Sequence, residues 1–275
     1  MFIPRRTLSA LCGMVAALSF PACASAQYEL DVPFVPTPEN VVQRMLTIAD
    51  VQPDDILYDL GSGDGRIVIA AARDFGVQRG VGVDLDPERV QDGIENARQA
   101  NVSDRVEFVE GNVFDFDFSD ATVVTMYLLP SVNVQLRPRI LEELRPGTRV
   151  VSHQFDMGDW EPDQSETVDG RSVHLWIVPA DVAGRWQWQE NGETFEVELN
   201  QQYQHVTGTL HAFGTEAPIE NARLQGSELT FEARPQRDGQ EELVRFAGTI
   251  EGEALQGDAS MGQQTAAVTA ERVGE

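Results

Sequence analysis

The chain has 275 residues, 41% of them apolar and 24% charged, a balance that excludes disorder and collagen-like repeats and leaves room for one large or two modest folded domains. Its 20 basic residues are all arginine, and against 45 acids they leave a formal charge of −25. A surface this acidic repels nucleic-acid phosphates and favours a cationic or lysine-rich partner, although an acidic, lysine-free proteome would give the same composition.

Arg5 and Arg6 precede an apolar run at residues 8–20 and the small residues Ala24, Ser25 and Ala26. Residues 1–26 therefore read as a signal peptide cut after Ala26. The expectation is an exported, periplasmic protein, or a cytoplasmic one if the true start lies near Tyr28. The run falls short of the about 20 residues that span a bilayer, so no integral span is expected in the mature chain. Cys12 and Cys23 both lie in this segment. Its removal leaves no cysteine for disulfides, thiolate metal sites or nucleophilic catalysis, and no metal site is expected.

After a proline-rich entry (Pro33, Pro36, Pro38), the spacing of Val41, Val42, Met45, Leu46 and Ile48 predicts a helix over 39–49, with Thr37 available as its cap. Strands follow at 56–60, 80–85, 106–110, 121–129 and 149–154, alternating with helices at 66–75, 87–100 and 132–144. That rhythm is a doubly wound Rossmann-like α/β sheet, mostly parallel. The stretch 121–129 lacks polar alternation because parallel strands are buried on both faces. Pro138 should kink or split its helix. A polar loop then leads to a further strand at 172–178, closing a domain at 27–180. From 181 to 275 the sequence alternates and is rich in turns, Asn191-Gly192 and Asp238-Gly239 among them, which predicts a separate, small antiparallel all-β domain. Its histidines, His205 and His211, read as ordinary strand residues.

Chemistry concentrates in Asp59-Leu60-Gly61-Ser62-Gly63-Asp64-Gly65-Arg66, between a predicted strand and a predicted helix. Three glycines at alternate positions let backbone approach a ligand closely, and the helix start offers free N–H groups to a carboxylate. The spacing G-x-G-x-G differs from the G-x-G-x-x-G of nicotinamide sites. Asp59, just ahead of the glycines, disfavours a pyrophosphate and favours a ligand with an ammonium or sulfonium charge. Asp84 ends the next strand, where a carboxylate can accept both ribose hydroxyls. Asn112 and the apolar residue after it end the third strand, where they can hold an adenine edge and face.

These residues resemble the class I, seven-stranded S-adenosylmethionine-dependent methyltransferases over about 33–179. The resemblance implies a last antiparallel strand, S-adenosyl-L-methionine as cofactor, and Asp59, Gly61, Ser62, Gly63, Gly65, Asp84 and Asn112 as its contacts; many members carry aspartate where this chain has Asn112. More narrowly, the string 59–67, the Leu129-Pro130-Ser131 turn and Val150-Val151-Ser152 followed by Trp160 are similar to the ATP synthase c-subunit lysine N-methyltransferases. That likeness implies lysine N-methylation of a protein, with residues 34–37 helping to cover the cofactor. Tyr127 and Pro130 are then expected to wall the acceptor site, and His153 and Asp156 are candidates to take the amine proton. Asp84→Ala should abolish cofactor binding at nearly unchanged stability. The competing reading is an exported, non-catalytic binding protein that keeps the α/β core as a scaffold and uses the β domain for a partner or a lipophilic ligand. The oligomeric state is not legible.

Overall fold

The computed structural model describes residues 34–274, so the signal peptide expected at 1–26 lies outside the described residues. The first half is a seven-stranded sheet. In chain order its elements are α1 (Glu39–Ile48), β1 (Ile56–Leu60), α2 (Arg66–Ala70, continued by a π-helical turn Ala71–Phe75), β2 (Arg79–Asp84), α3 (Pro87–Gln99) and β3 (Val106–Glu110), then β4 (Val123–Met126), α4 (Pro130–Glu143), β5 (Arg149–His153), β6 (Gln164–Val168) and β7 (Arg171–Ile177). The strand order is β3-β2-β1-β4-β5-β7-β6, with β7 antiparallel to both of its neighbours. The order reverses between β1 and β4, and a crevice therefore opens beyond their carboxyl ends.

Residue parity builds the two layers. Leu57, Val123 and Val151 face the side covered by α1, α2 and α3, whereas Tyr58, Val124 and Val150 face the side covered by α4. On α1 the five expected apolar residues are all buried. Thr37 does not cap that helix: Pro38 holds the cap position, and the Thr37 hydroxyl bonds the ring of His153 instead. Helix α4 runs through Pro138 without splitting. The polar loop expected after β5 contains the edge strand β6, held to β7 along its whole length.

The second half, expected as an antiparallel all-β domain, is a closed eight-stranded antiparallel barrel. Its strands are β8 (Gly184–Glu190), β9 (Glu193–Gln202), β10 (His205–Ala212), β11 (Thr215–Gln225) and β12 (Glu228–Ala233), followed by a short outlying hairpin, β13 (Gln236–Arg237) with β14 (Gln240–Glu241), and then β15 (Val244–Glu251), β16 (Ala254–Met261) and β17 (Gln264–Arg272). Pairing of Glu271 with Gln187 and Arg272 with Trp186 closes it. Side chains fill the interior, among them Trp186, Trp188, Phe195, Phe231 and Phe246. Trp160, fully buried on the sheet, donates its indole N–H to Gln204 at 2.9 Å and lies beside the ring of Tyr203, joining sheet to barrel. Among the described residues no helix is long and apolar enough to cross a membrane.

Candidate active site

The crevice at the carboxyl ends of β1, β2, β3 and β4 is lined by the glycine loop, Asp59, Asp84, the Gly111–Phe114 segment and Tyr127. The loop leaves β1 with Gly61, Gly63 and Gly65 all at positive φ. At Gly65, φ is +78° and an added Cβ would lie 2.4 Å from the Phe108 ring and 3.2 Å from the Gly93 backbone. A side chain there would carry the left-handed penalty and force the ring aside, together about 3 kcal/mol. Gly65→Ala is therefore expected to lower the melting temperature of the sheet domain by about 8 °C in calorimetry. An unchanged Tm would mean that the loop relaxes freely.

The amides of Gly61 and Ser62 donate to the Val83 carbonyl at 2.8 and 3.0 Å, fastening the loop to β2. One residue on, Asp84 accepts the Gly63 N–H on Oδ2 at 2.7 Å and the Asp86 N–H on Oδ1 at 3.0 Å. The carboxylate is thus aimed before any ligand arrives, and its remaining lone pairs can accept hydroxyls. Asp59 is buried, and its Oδ1 accepts the Thr125 hydroxyl at 2.7 Å. Desolvation pushes its carboxyl up to about 7; the Thr125 bond opposes this, and the charges of Asp84 and Asp64 add to it. The Ser62 hydroxyl is buried with no partner among the described residues. Asn112 lines the crevice, but its amide is committed to its own loop, donating to Asp115 and accepting the Phe114 N–H. Val113 and Phe114 provide the apolar wall beside it.

On the acceptor side Tyr127 is half-buried and lines the crevice, with the His153 ring centroid 3.9 Å from its own. Pro130 stands apart: it begins α4, is exposed and is not part of the lining. His153 is buried, and desolvation first, then the charge of Arg171, push its imidazole down to about 4. A group so weakly basic is poorly matched to taking a proton from an ammonium near neutral pH. Asp156 is exposed and accepts the Gly158 N–H, outside the lining.

Phe34, Val35, Pro36 and Thr37 line the crevice, and sequence reasoning missed the two arginines that hold them there. The Phe34 ring lies over Gly63, where an added Cβ would meet it at 2.5 Å, and the Arg89 guanidinium sits 5.0 Å above that ring. Arg66 donates to the Thr37 carbonyl at 2.9 Å and pairs with Asp64. Arg66 ends the motif string, and its charge beside the acids Asp59 and Asp64 was the available signal.

These residues fit S-adenosylmethionine. Two carboxyl groups and a glycine cradle suit a cationic amino acid joined to a ribose, and the buried, unpartnered Ser62 hydroxyl supplies a further hydrogen-bonding group.

Comparison with known proteins agrees. A model of the ANTKMT methyltransferase domain matches residues 59–164, which stops short of the barrel. The protein-lysine N-methyltransferase of Saccharolobus islandicus is 49% identical over 155 residues, 55% of this chain and 96% of that protein. The ATP synthase c-subunit lysine N-methyltransferase of Xenopus laevis is 33% identical over 147 residues, 54% of this chain and 64% of that protein. Among solved structures, an RNA methyltransferase of Salinibacter ruber in complex with S-adenosyl-L-homocysteine is 57% identical, covers 54% of this chain and 96% of that one, and superposes with a TM-score of 0.53. With the crevice described above and 96% of the Saccharolobus relative covered, the chain belongs to the class I S-adenosylmethionine-dependent methyltransferases, in the protein-lysine N-methyltransferase family.

Proposed function

We propose that this enzyme methylates the ε-amino group of lysine in a protein. The observation that carries the reading is the 49% identity to a protein-lysine N-methyltransferase across 96% of its length. Electrostatics support it over the RNA acceptor named for the Salinibacter relative. The chain carries a formal charge of −25, and the two arginines lining the crevice are paired, Arg66 with Asp64 and Arg89 with Asp92. Phosphates find no uncompensated cation among the described lining residues, whereas a basic protein segment is drawn in. The inert-scaffold alternative finds no support among these relatives.

Bound S-adenosylmethionine supplies a methyl group activated by its sulfonium. Asp84, Asp59 and the glycine loop are the residues that would hold it. The rest of the work is orientation and exclusion of water. Tyr127, Leu128 and Val132 give the acceptor side an apolar wall, which disfavours the ammonium and favours the neutral amine whose lone pair reacts. The proton leaves to solvent before transfer, since neither His153 nor Asp156 is placed to act as its base.

The test offers purified enzyme and methyl-labelled cofactor to a lysine-rich protein and to RNA in parallel. Label recovered as methyl-lysine is the expected result, and label in RNA overturns the reading. Tyr127→Ala should lower kcat/KM for the protein about 30-fold while the cofactor Kd changes little, because only the acceptor wall is removed. A variant with wild-type kcat/KM would take Tyr127 out of the acceptor site.

A further inference from the structure

The carboxyl end of β5 holds a backbone conformation that a cofactor crevice alone does not require. Gln154, not a glycine, sits at φ +72°, and the Phe155 N–H turns back onto the His153 carbonyl at 2.9 Å. A residue held in this region costs on the order of 1–3 kcal/mol, so the surroundings must enforce it. They do. The Gln154 N–H is fixed to the Ser172 carbonyl at 2.7 Å. From α4 the fully buried Asn133 donates its side-chain N–H groups to the Ser152 hydroxyl and to the carbonyls of Phe155 and Asp156, at 3.3, 3.3 and 3.1 Å.

The turn sets two rings on Tyr127. The His153 ring lies 3.9 Å from it, centroid to centroid and inclined by 37°, and the Phe155 ring stacks at 6.0 Å. The other edge of the imidazole reaches the cover of the cofactor, Nδ1 lying 3.1 Å from the Thr37 hydroxyl. The Thr37 carbonyl in turn accepts from Arg66, which is paired with Asp64 of the glycine loop. His153 Nε2 is buried with no partner among the described residues. Leaving such an atom unpaired costs about 1–3 kcal/mol, which a phenylalanine of similar shape would avoid. Packing alone does not call for an imidazole here; the bond to Thr37 does.

We propose that His153 is a positioning residue of the methyl transfer: bonded to Thr37 through Nδ1, it fixes the face that Tyr127 presents to the acceptor amine and ties that wall to the segment covering the cofactor. The inference rests on the lysine methyltransferase reading of the crevice. His153 acts through Tyr127 and stays uncharged at neutral pH, since burial and Arg171 both oppose its protonation. It therefore brings no positive charge to the approach of a cationic side chain.

Thr37→Val, His153→Phe and the double variant test it. Each single variant removes the same hydrogen bond; Thr37→Val does so at nearly unchanged volume, whereas His153→Phe places a larger ring in a buried site. Each is expected to lower kcat about 10-fold, with the cofactor Kd within about threefold, and the double variant is expected to be no worse than the worse single one. The pH profile of kcat should keep its shape at the lower amplitude. Wild-type kcat in folded Thr37→Val would overturn the proposal. Loss of the acidic limb of the profile in His153→Phe would also overturn it, by making His153 a titrating base. If His153→Phe fails to fold, Thr37→Val carries the test from the other end of the bond. Should the wild-type enzyme leave protein lysine unmethylated, the substrate reading fails by itself. Nitrogen-15 NMR of the imidazole, with cofactor bound, then separates the two failures: an Nδ1 shift unmoved in Thr37→Val overturns the inference as well, and a shift that moves upholds the tie between His153 and the Thr37 segment.

Discussion

Asp84→Ala should weaken S-adenosylmethionine binding by at least about 100-fold in isothermal titration, because a carboxylate bonding two hydroxyls contributes about 1.5–3 kcal/mol per bond. The sequence alone leads one to expect unchanged stability in this variant. The structure revises that expectation. Both Asp84 oxygens hold backbone N–H groups, those of Gly63 in the glycine loop and of Asp86, whose own side chain caps α3 by accepting the Glu88 N–H at 2.8 Å. Removing the carboxylate frees both amides in a half-buried place and should cost about 1–2 kcal/mol of stability as well. Asp84→Asn keeps one acceptor oxygen and should fall between alanine and wild type in both measurements. Alanine-variant binding at wild-type affinity would remove Asp84 from the ribose role. A lost affinity at an unchanged melting temperature would instead show that the loop holds its shape without it.

The contrast between what the sequence disclosed and what it hid follows the range of the interactions. Strands β1, β2, β4 and β5 are central, buried on both faces, and so stand out as apolar runs; the glycine loop and Asp84 are local features of strand ends. Strand β6 reads Gln164-Ser-Glu-Thr-Val168, polar and largely exposed, and it is a strand only because β7 offers it a ladder. Alternation announced the strands of the second half. It could not announce the closure of the barrel, which rests on Trp186 and Gln187 meeting Arg272 and Glu271 from the far end of the chain. The site divides in the same way. Tyr127 reaches the crevice from the end of β4, whereas Pro130, three residues later, already belongs to α4 and is exposed. The contacts of Phe34 with Gly63, of Thr37 with His153 and of Arg66 with the Thr37 carbonyl join segments distant in sequence, and no local pattern marks them.

Cofactor affinity is expected to rise with pH through neutrality, and Asp59 sets the window. Burial holds its carboxyl up at about 7, so at pH 6 most molecules carry it protonated. A ligand bearing ammonium and sulfonium charges prefers the ionised form and must expel the proton on binding. If only that form binds, the competent fraction grows from about 0.1 at pH 6 to about 0.9 at pH 8, and the apparent Kd falls about tenfold over that range, flattening above it. Titrations at pH 6 in buffers of different ionisation heat should report close to one proton released per cofactor, and almost none at pH 8. Stability has the opposite slope. The folded-state pKa of Asp59 lies above its unfolded value near 3.8, so the stability tied to its neutral form is complete below about 4 and is lost as pH rises through about 7. Asp59→Asn keeps an oxygen for the Thr125 hydroxyl and removes the ionisable group. It should melt higher than wild type at pH 8, bind the cofactor more weakly there, and show a Kd flat from pH 6 to 8. A wild-type Kd equally flat over that range would mean that Asp59 is ionised throughout, and a neutral Asp59 carboxyl in the free enzyme would have to be abandoned.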